Sequence, residues 1–469
     1  MNKTYKVAVL CAAGLLMQAT ASTATPGDAV PAAENFTGAV LAEGLAGPWE
    51  MLWGPDNMLW VTERDAGQIT KVNPDTGEKS ALVKIDDVYG GDHPQHEGLL
   101  GMAFSPDMSA DKGQVYVLYT YKNDKGEFKR VARFNYDGKT LTDKTVILDG
   151  IAAGNDHQGG RLVFGPDGKL YLTVGELGHN QFGNACEPIE AQRLPTAGEV
   201  KAKNYAGYLG KTLRINPDGS IPTDNPKMAN GVVSHVFTYG HRNPQGLVFV
   251  GDTAFSTEQG PSSDDELNIL VGGGNYGWPH VAGFQDNESY RYGNWSGAKD
   301  CQALLKAGKF DANVFPKSVP VHQEKDWKAP KNFQGPLKTF YTVQTGYNYT
   351  DERCGQLSFL CWPTISPSSL TYYPAEGTIP GWGNSLLITS LKNGVLYRVP
   401  LSMDKKQAQG YDAVYFHTDN RYRVARVSPD GKSIFIATDP GGFVIGLDGK
   451  PTNKMANPGA ILKFSYNAQ

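Results

Sequence analysis

The chain has 469 residues, of which 40% are hydrophobic, so it can bury a large core and is neither a disordered tail nor a small disulfide-stapled peptide. Its net charge is -4 and it contains no basic run of five or more residues, which argues against a nucleic-acid partner. Its 55 glycines and 29 prolines follow no collagen-like period, and they predict short strands joined by many tight turns.

The first 24 residues have the layout of a secretory signal peptide. Lys3 and Lys6 precede an apolar stretch over residues 7–17, and small residues follow it. The stretch is too short for a membrane anchor, and no later segment approaches the length of a membrane span. We expect cleavage after Ala21 or Ala24, a single mature domain over residues 25–469, and a periplasmic or secreted protein that is not integral to a membrane.

The cysteines indicate disulfides. Removal of the signal peptide leaves four of them, at positions 186, 301, 354 and 361, and an even number in an exported chain favours pairing. Cys354 and Cys361 are close in sequence and can close a small loop. Zinc ligation is the alternative, although the CxxC spacing typical of zinc sites is absent.

A Pro-Asp turn followed by a strand recurs along the chain. Copies begin at Gly54, Gly165 and Ser428, and a looser copy begins at Ser105. Each copy leads into a segment rich in β-branched and aromatic residues, as strands are. The spacing of about 50 to 60 residues between the early copies matches one four-stranded propeller blade with its loops.

About six such blades would use the length of the chain. We expect further strand pairs at 232–239 with 246–249 and at 385–389 with 394–399. The prediction is therefore an all-β fold, a six-bladed β-propeller of four-stranded antiparallel sheets. The stretch 275–367 is predicted to form loops that cover the ligand-binding face. A pair of β-sandwich domains is the alternative, but it explains the repeat less well.

Four polar runs lie where predicted strands end. They place charged and amide side chains among glycines and prolines, over residues 155–161, 240–246, 258–266 and 419–423. Because such residues contribute little to a core, the group as a whole indicates a binding site. Each run taken alone is also compatible with a solvated loop.

With these runs, the chain resembles the soluble quinoprotein glucose dehydrogenases and aldose sugar dehydrogenases, six-bladed propellers that use pyrroloquinoline quinone (PQQ) and calcium. The resemblance is carried, in chain order, by residues 52–56, 98–101, 156–158, 240–246, 258–266, 275–279, 361–364, 390–392 and 420–423. These stretches extend over nearly the whole mature chain. The resemblance implies an enzyme that oxidises aldose sugars such as glucose at C1 to the lactone, with hydride transfer to PQQ.

The resemblance also implies catalytic roles. His157 matches the general base, and a neutral imidazole suits removal of the C1 hydroxyl proton. Glu176 stands where the family has Asp and keeps a carboxylate able to orient His157. Arg242 matches the residue beside the quinone oxygen, where a positive charge favours the negative charge that develops during the reaction. Without the resemblance, a lone histidine is more often structural.

Further residues match the family's binding positions. PQQ carries three carboxylates and needs fixed cations around it, and its matched contacts are Arg242, Asn243, Gln245, Lys392, Arg421 and Arg423. The matched sugar-side positions are His96, Asp156, Gln181, Phe359 and Trp362, of which the tryptophan offers a flat face to a pyranose. His96 replaces the usual Gln and Phe359 the usual Tyr, and these departures bear on sugar preference rather than on the redox step.

Calcium is expected at two places on the strength of the resemblance. One ion, beside the cofactor, would be held by the carbonyls of Gly260 and Pro261, since calcium prefers hard oxygen ligands. A structural ion would use the carboxylates of Glu266, Asp286 and Glu324 and the carbonyls of Ala282 and Phe284. The family's disulfide matches Cys354 and Cys361, and we hypothesise a second bridge between Cys186 and Cys301.

Two other functions remain open from the sequence. A calcium-dependent lactonase on a similar propeller would need acidic and amide ligands without a cationic rim, so Lys392, Arg421 and Arg423 argue against it. A non-catalytic sugar-binding propeller would tolerate inert residues at positions 157 and 242. For the dehydrogenase, the expected partners are an aldose and a soluble or respiratory electron acceptor, and family members can pair as homodimers.

Overall fold

The computed structural model describes residues 29–30, 33, 35–90, 96–410 and 412–468. The predicted signal peptide, residues 1–24, lies outside the described residues. Most of the regular structure is strand, arranged as six antiparallel sheets of four or five strands and two short two-stranded sheets. The prediction of a six-bladed β-propeller is confirmed.

Each of the first three blades is a four-stranded meander in chain order. Their strands are, for blade 1, Pro48–Trp53, Leu59–Glu63, Gln68–Val72 and Lys79–Lys84; for blade 2, Leu99–Phe104, Gly113–Asn123, Gly126–Tyr136 and Leu141–Ala152; and for blade 3, Gly159–Phe164, Leu170–Val174, Lys211–Ile215 and Val236–Tyr239.

Blade 5 is also a meander in chain order, whereas blade 4 takes its fourth strand after a long insertion and blade 6 takes its outer strands from the start of the described chain. Their strands are, for blade 4, Pro244–Val250, Thr253–Glu258, Asp265–Leu270 and Lys338–Phe340; for blade 5, Pro367–Tyr373, Ser385–Ser390, Leu396–Pro400 and Ala413–Tyr415; and for blade 6, Tyr422–Val427, Ser433–Thr438, Ile461–Tyr466, Phe36–Ala42 and Ala29–Val30. Blade 6 thus pairs the start of the described chain with its end. This pairing closes the ring, because the strand Phe36–Ala42, which leads directly into blade 1, is hydrogen-bonded within blade 6.

The recurring Pro-Asp turn has one structural role. It joins the first two strands of blades 1, 2, 3 and 6, as the repeat predicts. The predicted pair near residues 385 and 396 also forms, within blade 5. The pair predicted from 232–239 and 246–249 is wrong, because Val236–Tyr239 ends blade 3 while Pro244–Val250 begins blade 4. In the sequence, two consecutive strands that belong to different blades resemble the two strands of a hairpin. Only the partner strand with which each one pairs shows that they belong to different blades.

The first strand of every blade contacts the first strands of both neighbouring blades, so six strands surround the central axis. Apolar side chains fill the gaps between adjacent blades in six buried clusters. On the axis, the buried Glu50 carboxylate accepts hydrogen bonds from Arg161 at 2.6 Å and from Arg426 at 2.5 Å. Removing Glu50 would leave both guanidinium groups without their anion, so this cluster favours one relative placement of blades 1, 3 and 6.

Two long connections lie within and after blade 4. Residues 271–337 separate its third and fourth strands, and residues 341–366 lead to blade 5. They carry the helix Cys301–Lys306, a two-stranded antiparallel sheet formed by Arg291–Gly293 and Val321–Gln323, and 3₁₀ turns that include Gly355–Leu360. A second short helix, Ala197–Lys201, lies in blade 3. None of the helices in the described ranges has the length and apolar character needed to cross a membrane.

Each of the two predicted disulfides involves one of these connections. Cys354 pairs with Cys361 across seven residues, as the resemblance implies. Cys186 pairs with Cys301, joining a loop of blade 3 to the insertion in blade 4 over a separation of 115 residues. The hypothesised second bridge is therefore present in the structure.

Burial of His235 predicts a dependence of folding stability on pH. Its Nε2 lies 3.0 Å from the carbonyl of Gly219 and must donate, so its Nδ1 accepts from the hydroxyl of Tyr208 at 2.8 Å. Burial lowers the pKa of His235 from 6.5 to about 4. The unfolded chain therefore binds a proton between about pH 6.5 and 4 that the folded chain does not, and stability falls as the pH falls through this range, by about 2 to 3 kcal/mol.

We expect His235→Phe to flatten this part of the stability profile, measured by chemical denaturation between pH 7 and pH 4. The matched control is His322→Phe, at an exposed position, which should keep the slope of the wild type. An unchanged slope in His235→Phe would assign the acid sensitivity to other groups.

Candidate active site

A cavity of about 300 Å³ lies at one end of the central axis. Its walls come from residues just before the first strand or just after the second strand of several blades, so the meander of each blade delivers side chains to the same end. Predicted site residues that line it are His96, Asp156, His157, Gln181, Arg242, Gln245, Gly260, Pro261, Phe359, Trp362, Lys392, Arg421 and Arg423. Glu176 and Asn243 do not line the cavity and lie behind lining residues.

His157 is held in one orientation. Its Nδ1 lies 2.7 Å from Oε1 of the fully buried Glu176, and Glu176 also accepts the backbone N–H of His179 at 2.8 Å. The backbone of His157 is left-handed, with φ of 39°, and Gly175 lies so close to its carbonyl that any larger residue there would collide. The surrounding chain therefore sets the direction of the imidazole ring.

The hydrogen-bond partners of His157 assign its tautomer. The Glu176 carboxylate can only accept, so Nδ1 carries the proton. The other ring nitrogen, Nε2, faces the amide Nε2 of Gln181 at 3.2 Å, and this amide group can only donate. His157 thus presents an unprotonated Nε2 at the cavity, which is the arrangement required of a general base.

Gln181 connects the base to Arg242. The guanidinium Nη2 of Arg242 donates to Oε1 of Gln181 at 2.5 Å, and Nε2 of Gln181 also donates to Oδ2 of Asp156 at 2.9 Å. Arg242 Nη1 donates to the carbonyl of Gln259 at 3.1 Å. Because its oxygen accepts from Arg242 and its nitrogen donates to Asp156, the amide of Gln181 has one orientation, and it holds these two charged side chains in place.

Asp156 is ionised at neutral pH. Burial by itself would raise the pKa of this carboxyl, but the imidazoles of His157 and His96, the backbone N–H of His157 and the charge of Arg242 lower it to about 2. His96 Nδ1 lies 3.5 Å from Oδ1 of Asp156. Burial lowers the pKa of His96, so its imidazole is neutral near pH 7 and can exchange hydrogen bonds with a polyhydroxyl ligand.

Cationic side chains from blades 5 and 6 also line the cavity. The ammonium of Lys392 donates to the carbonyl of Trp362 and to Oγ1 of Thr364, the latter at 2.8 Å. Burial lowers the pKa of Lys392, so an anionic ligand beside it would favour its charged form. Arg421 donates to the carbonyl of Phe443 at 2.7 Å, which holds its guanidinium at the rim.

Arg423 already has a partner of opposite charge. It forms a two-bond ion pair with Asp439, with Nε at 2.9 Å from Oδ1 and Nη2 at 2.6 Å from Oδ2. Its Nη1 donates to Oε1 of Gln245 at 3.1 Å, which fixes that amide at the cavity. Arg423 is therefore paired more closely with an acid than Arg421, whose Nε lies 3.4 Å from Oδ2 of the same Asp439.

Asn243 connects two of the segments that form the walls of the cavity. Its Oδ1 accepts the backbone N–H of Gly159 at 3.1 Å and its Nδ2 donates to Oε1 of Gln259 at 2.9 Å. These bonds join the loop of His157 in blade 3 to the lining residue Gln259 in blade 4.

Aromatic residues close the remaining side of the cavity. Phe359 and Trp362 belong to the connection between blades 4 and 5, and the disulfide between Cys354 and Cys361 ties that segment together. Phe359 is 38% exposed and Phe182 is 49% exposed, and both line the cavity. Phe182 was not predicted from the sequence, because a single exposed phenylalanine in a loop carries no local signal.

The residues matched to calcium are distributed as follows. Gly260 and Pro261 line the cavity, and the N–H of Gly260 is held by Asp265 at 2.8 Å. Glu266 accepts the N–H of Gly283 at 2.7 Å, and Glu324 accepts those of Ala282 at 3.2 Å and Asn287 at 2.9 Å, so both carboxylates hold the loop that contains Phe284 and Asp286. Across the described ranges, no three His, Cys, Asp or Glu side chains gather closely enough to hold a metal ion by themselves.

Asp265 and Asp439 are among the buried carboxylates that were given no role from the sequence. Asp265 accepts backbone N–H groups of Gly260, Ile365 and Ser366, and so ties together two walls of the cavity. Asp439 is the acid that pairs with Arg423. Both stand at strand boundaries among Gly, Pro or Ser, a pattern that was recognised for 258–266 but not for the Asp-Pro-Gly-Gly segment after Thr438.

Comparison with known proteins gives consistent matches. The family model described as Glucose / Sorbosone dehydrogenase matches residues 45–306 and 338–445. Quinoprotein glucose dehydrogenase B of Acinetobacter calcoaceticus is 44% identical over 450 residues, which cover 93% of this chain and 92% of that protein.

Solved structures agree in fold. The PQQ-bound form of aldose sugar dehydrogenase from Streptomyces coelicolor superposes with a TM-score of 0.58 at 26% identity, covering 93% of this chain and 99% of that chain. The soluble aldose sugar dehydrogenase of Escherichia coli, in the apo-form, gives 0.63 at 22% identity and covers 92% and 99%. At that identity the second match concerns the fold alone.

Proposed function

This chain belongs to the Glucose / Sorbosone dehydrogenase family, and from that premise we propose that it oxidises aldose sugars at C1 to the lactone with PQQ and calcium. The observation that carries the proposal is that an unprotonated Nε2 of His157 and the cationic groups of Lys392 and Arg421 line the same cavity. A lactonase needs no such cations, and a sugar-binding protein needs no oriented base.

The residues present fit a planar tricarboxylate. Lys392, Arg421 and Arg242 supply cationic heads in the same cavity, and its volume of about 300 Å³ is within the range of small-molecule sites. The carbonyls of Gly260 and Pro261 are hard oxygen donors at the same cavity and suit calcium. For the structural calcium, the proposed donors Glu266 and Glu324 engage backbone N–H groups, so this second ion rests on the resemblance alone.

The residues of the chain divide the chemistry among them. When bound, PQQ supplies an electrophilic carbonyl that accepts the hydride from C1. Nε2 of His157 takes the proton of the C1 hydroxyl, and Glu176 holds the ring and stabilises the imidazolium that results. Arg242 places a positive charge where negative charge develops, and its bond to Gln181 keeps it there. Trp362 offers a face on which a pyranose ring can stack.

We also propose that the protein is exported and passes its electrons to a soluble or respiratory acceptor. The support is the signal-peptide layout of the first 24 residues together with two disulfides, which persist in oxidising compartments.

Reconstitution tests the function. We expect purified apoprotein to gain dye-linked oxidation of aldoses only after both PQQ and calcium are supplied, and NAD to have no effect, because the cavity presents cations to a tricarboxylate. The assay uses a panel of aldoses, with PQQ alone and calcium alone as controls. Aldose oxidation that needs no quinone, or that NAD supports, would contradict the proposal.

A further inference from the structure

A second pair of histidine and glutamate lies behind the cavity. Nδ1 of His241 is 2.8 Å from Oε2 of Glu258, and both side chains are buried. The pair repeats the arrangement of His157 and Glu176 at corresponding places in the next blade, with the histidine just before the first strand and the glutamate at the end of the second. His241 has no exposed surface, so it cannot contact a ligand of the cavity.

The other oxygen of the Glu258 carboxylate bonds to the backbone of a residue that lines the cavity. Oε1 of Glu258 accepts the backbone N–H of Arg242. The carbonyl of that same Arg242 accepts the backbone N–H of Glu176 at 2.9 Å. Glu176 in turn accepts a hydrogen bond from the Nδ1–H of His157. An unbroken series of hydrogen bonds therefore joins the buried pair to the residue proposed as base.

The far end of the series is also anchored. Nε2 of His241 lies 2.8 Å from Oγ1 of Thr238, which lies 2.5 Å from Oγ1 of Thr212, so the ring is tied to the two outer strands of blade 3. The imidazole stacks on Tyr276 with ring centroids 4.5 Å apart. Because every edge of the ring is occupied, His241 has one available position, and Glu258 is held with it.

We propose that His241 and Glu258 are positioning residues, which set the backbone of Arg242 and, through it, the orientation of Glu176 and His157. The proposal rests on the proposed function only for its effect on turnover. Without His241, the Glu258 carboxylate loses its fixed partner, the N–H of Arg242 loses its fixed acceptor, and both Arg242 and Glu176 gain freedom to shift. Misplacement of reacting groups by about 1 Å can cost about 100-fold in rate.

The structure offers a closely matched control for substitution of His241. His235 is another buried histidine with two hydrogen bonds; it lies at the other end of the strand Val236–Tyr239, and its partners are Tyr208 and Gly219, away from the cavity. His241→Phe and His235→Phe each keep a ring and remove two hydrogen bonds. We expect both variants to lose folding stability and only His241→Phe to lose kcat, by about 10- to 100-fold.

A readout in the apoprotein separates positioning from general damage. The proton shared by His157 Nδ1 and Glu176 should give a downfield resonance in the proton NMR spectrum, assigned by its loss in His157→Ala. We expect this resonance to move in His241→Phe and to stay in place in His235→Phe, although neither residue contacts His157. Thr238→Val, which keeps the volume and removes the hydroxyl at Nε2, should cause a smaller loss of kcat, about 3- to 10-fold.

The outcomes are distinct. A moved His157 resonance with reduced kcat supports the proposal. An unmoved resonance and unchanged kcat in both His241→Phe and Thr238→Val overturn it, even where the wild type oxidises aldoses. A moved resonance in a protein that never oxidises aldoses supports the positioning role and removes the proposed function instead. If His241→Phe does not fold, Thr238→Val decides the matter by the same two measurements.

Discussion

His157→Ala is expected to lower kcat for aldose oxidation by about 10²- to 10⁴-fold while the protein still binds its cofactor. The reason is geometric, since Nδ1 is committed to Glu176 and Nε2 is the unprotonated nitrogen that faces the cavity. Steady-state kinetics with reconstituted enzyme measure the loss, and calorimetric titration of the apoprotein with PQQ measures retention of the cofactor.

The control for this variant is His235→Phe, which alters a buried histidine outside the cavity and should keep kcat near that of the wild type at pH 7. Full turnover by His157→Ala, with the cofactor bound, would remove His157 from the role of base. Loss of cofactor binding in the same variant would instead place His157 among the residues that hold the quinone.

Lys392→Met is expected to weaken PQQ binding by about 30- to 1,000-fold, the range typical of removing one partner from a buried, hydrogen-bonded charge pair. Lys392 is buried, it lines the cavity, and its bonds to Trp362 and Thr364 aim the ammonium without neutralising it. Titration calorimetry of the apoprotein gives the Kd directly, without any need for turnover.

Lys211→Met is the matched control for Lys392→Met. Lys211 is also a buried lysine, but its ammonium donates to the carbonyls of Glu190 at 3.2 Å, Ala191 at 2.8 Å and Leu209 at 2.6 Å, away from the cavity. This variant should lose stability and keep the Kd for PQQ. Equal affinities in Lys392→Met and the wild type would show that the ammonium does not contact the cofactor.

Arg423 illustrates what a motif leaves undecided. The Arg-Tyr-Arg segment predicts two equivalent cations for an anionic ligand, but the structure gives Arg423 a two-bond pair with Asp439 and leaves Arg421 with backbone carbonyls at the rim and a longer 3.4 Å contact to Asp439. Asp439 lies 16 residues further along the chain and reaches Arg423 only because their strands are neighbours in blade 6. No local pattern around residue 421 contains that information.

The tautomer of His157 and the series of bonds through His241 have the same origin. Each depends on a residue that approaches from another strand end: Glu176 for His157 and Glu258 for His241. The types of residue were visible, since His, Glu and Arg stand in polar runs between strands. Their donor and acceptor roles were not, because these depend on distances that arise only when the first two strands of each blade pair and blades 3 and 4 pack together.

The sequence by itself determined the architecture and the inventory of the site. Proline and the short acid after it impose turns locally, β-branched and aromatic residues favour strands, and a repeat of this pattern implies blades, so these properties could be read without tertiary structure. Only the tertiary structure decided which strands share a blade, which arginine is paired closely with an acid, and which nitrogen of His157 faces the cavity. Those properties depend on hydrogen bonds between residues distant in the chain, and packing rather than local preference brings such residues within bonding distance.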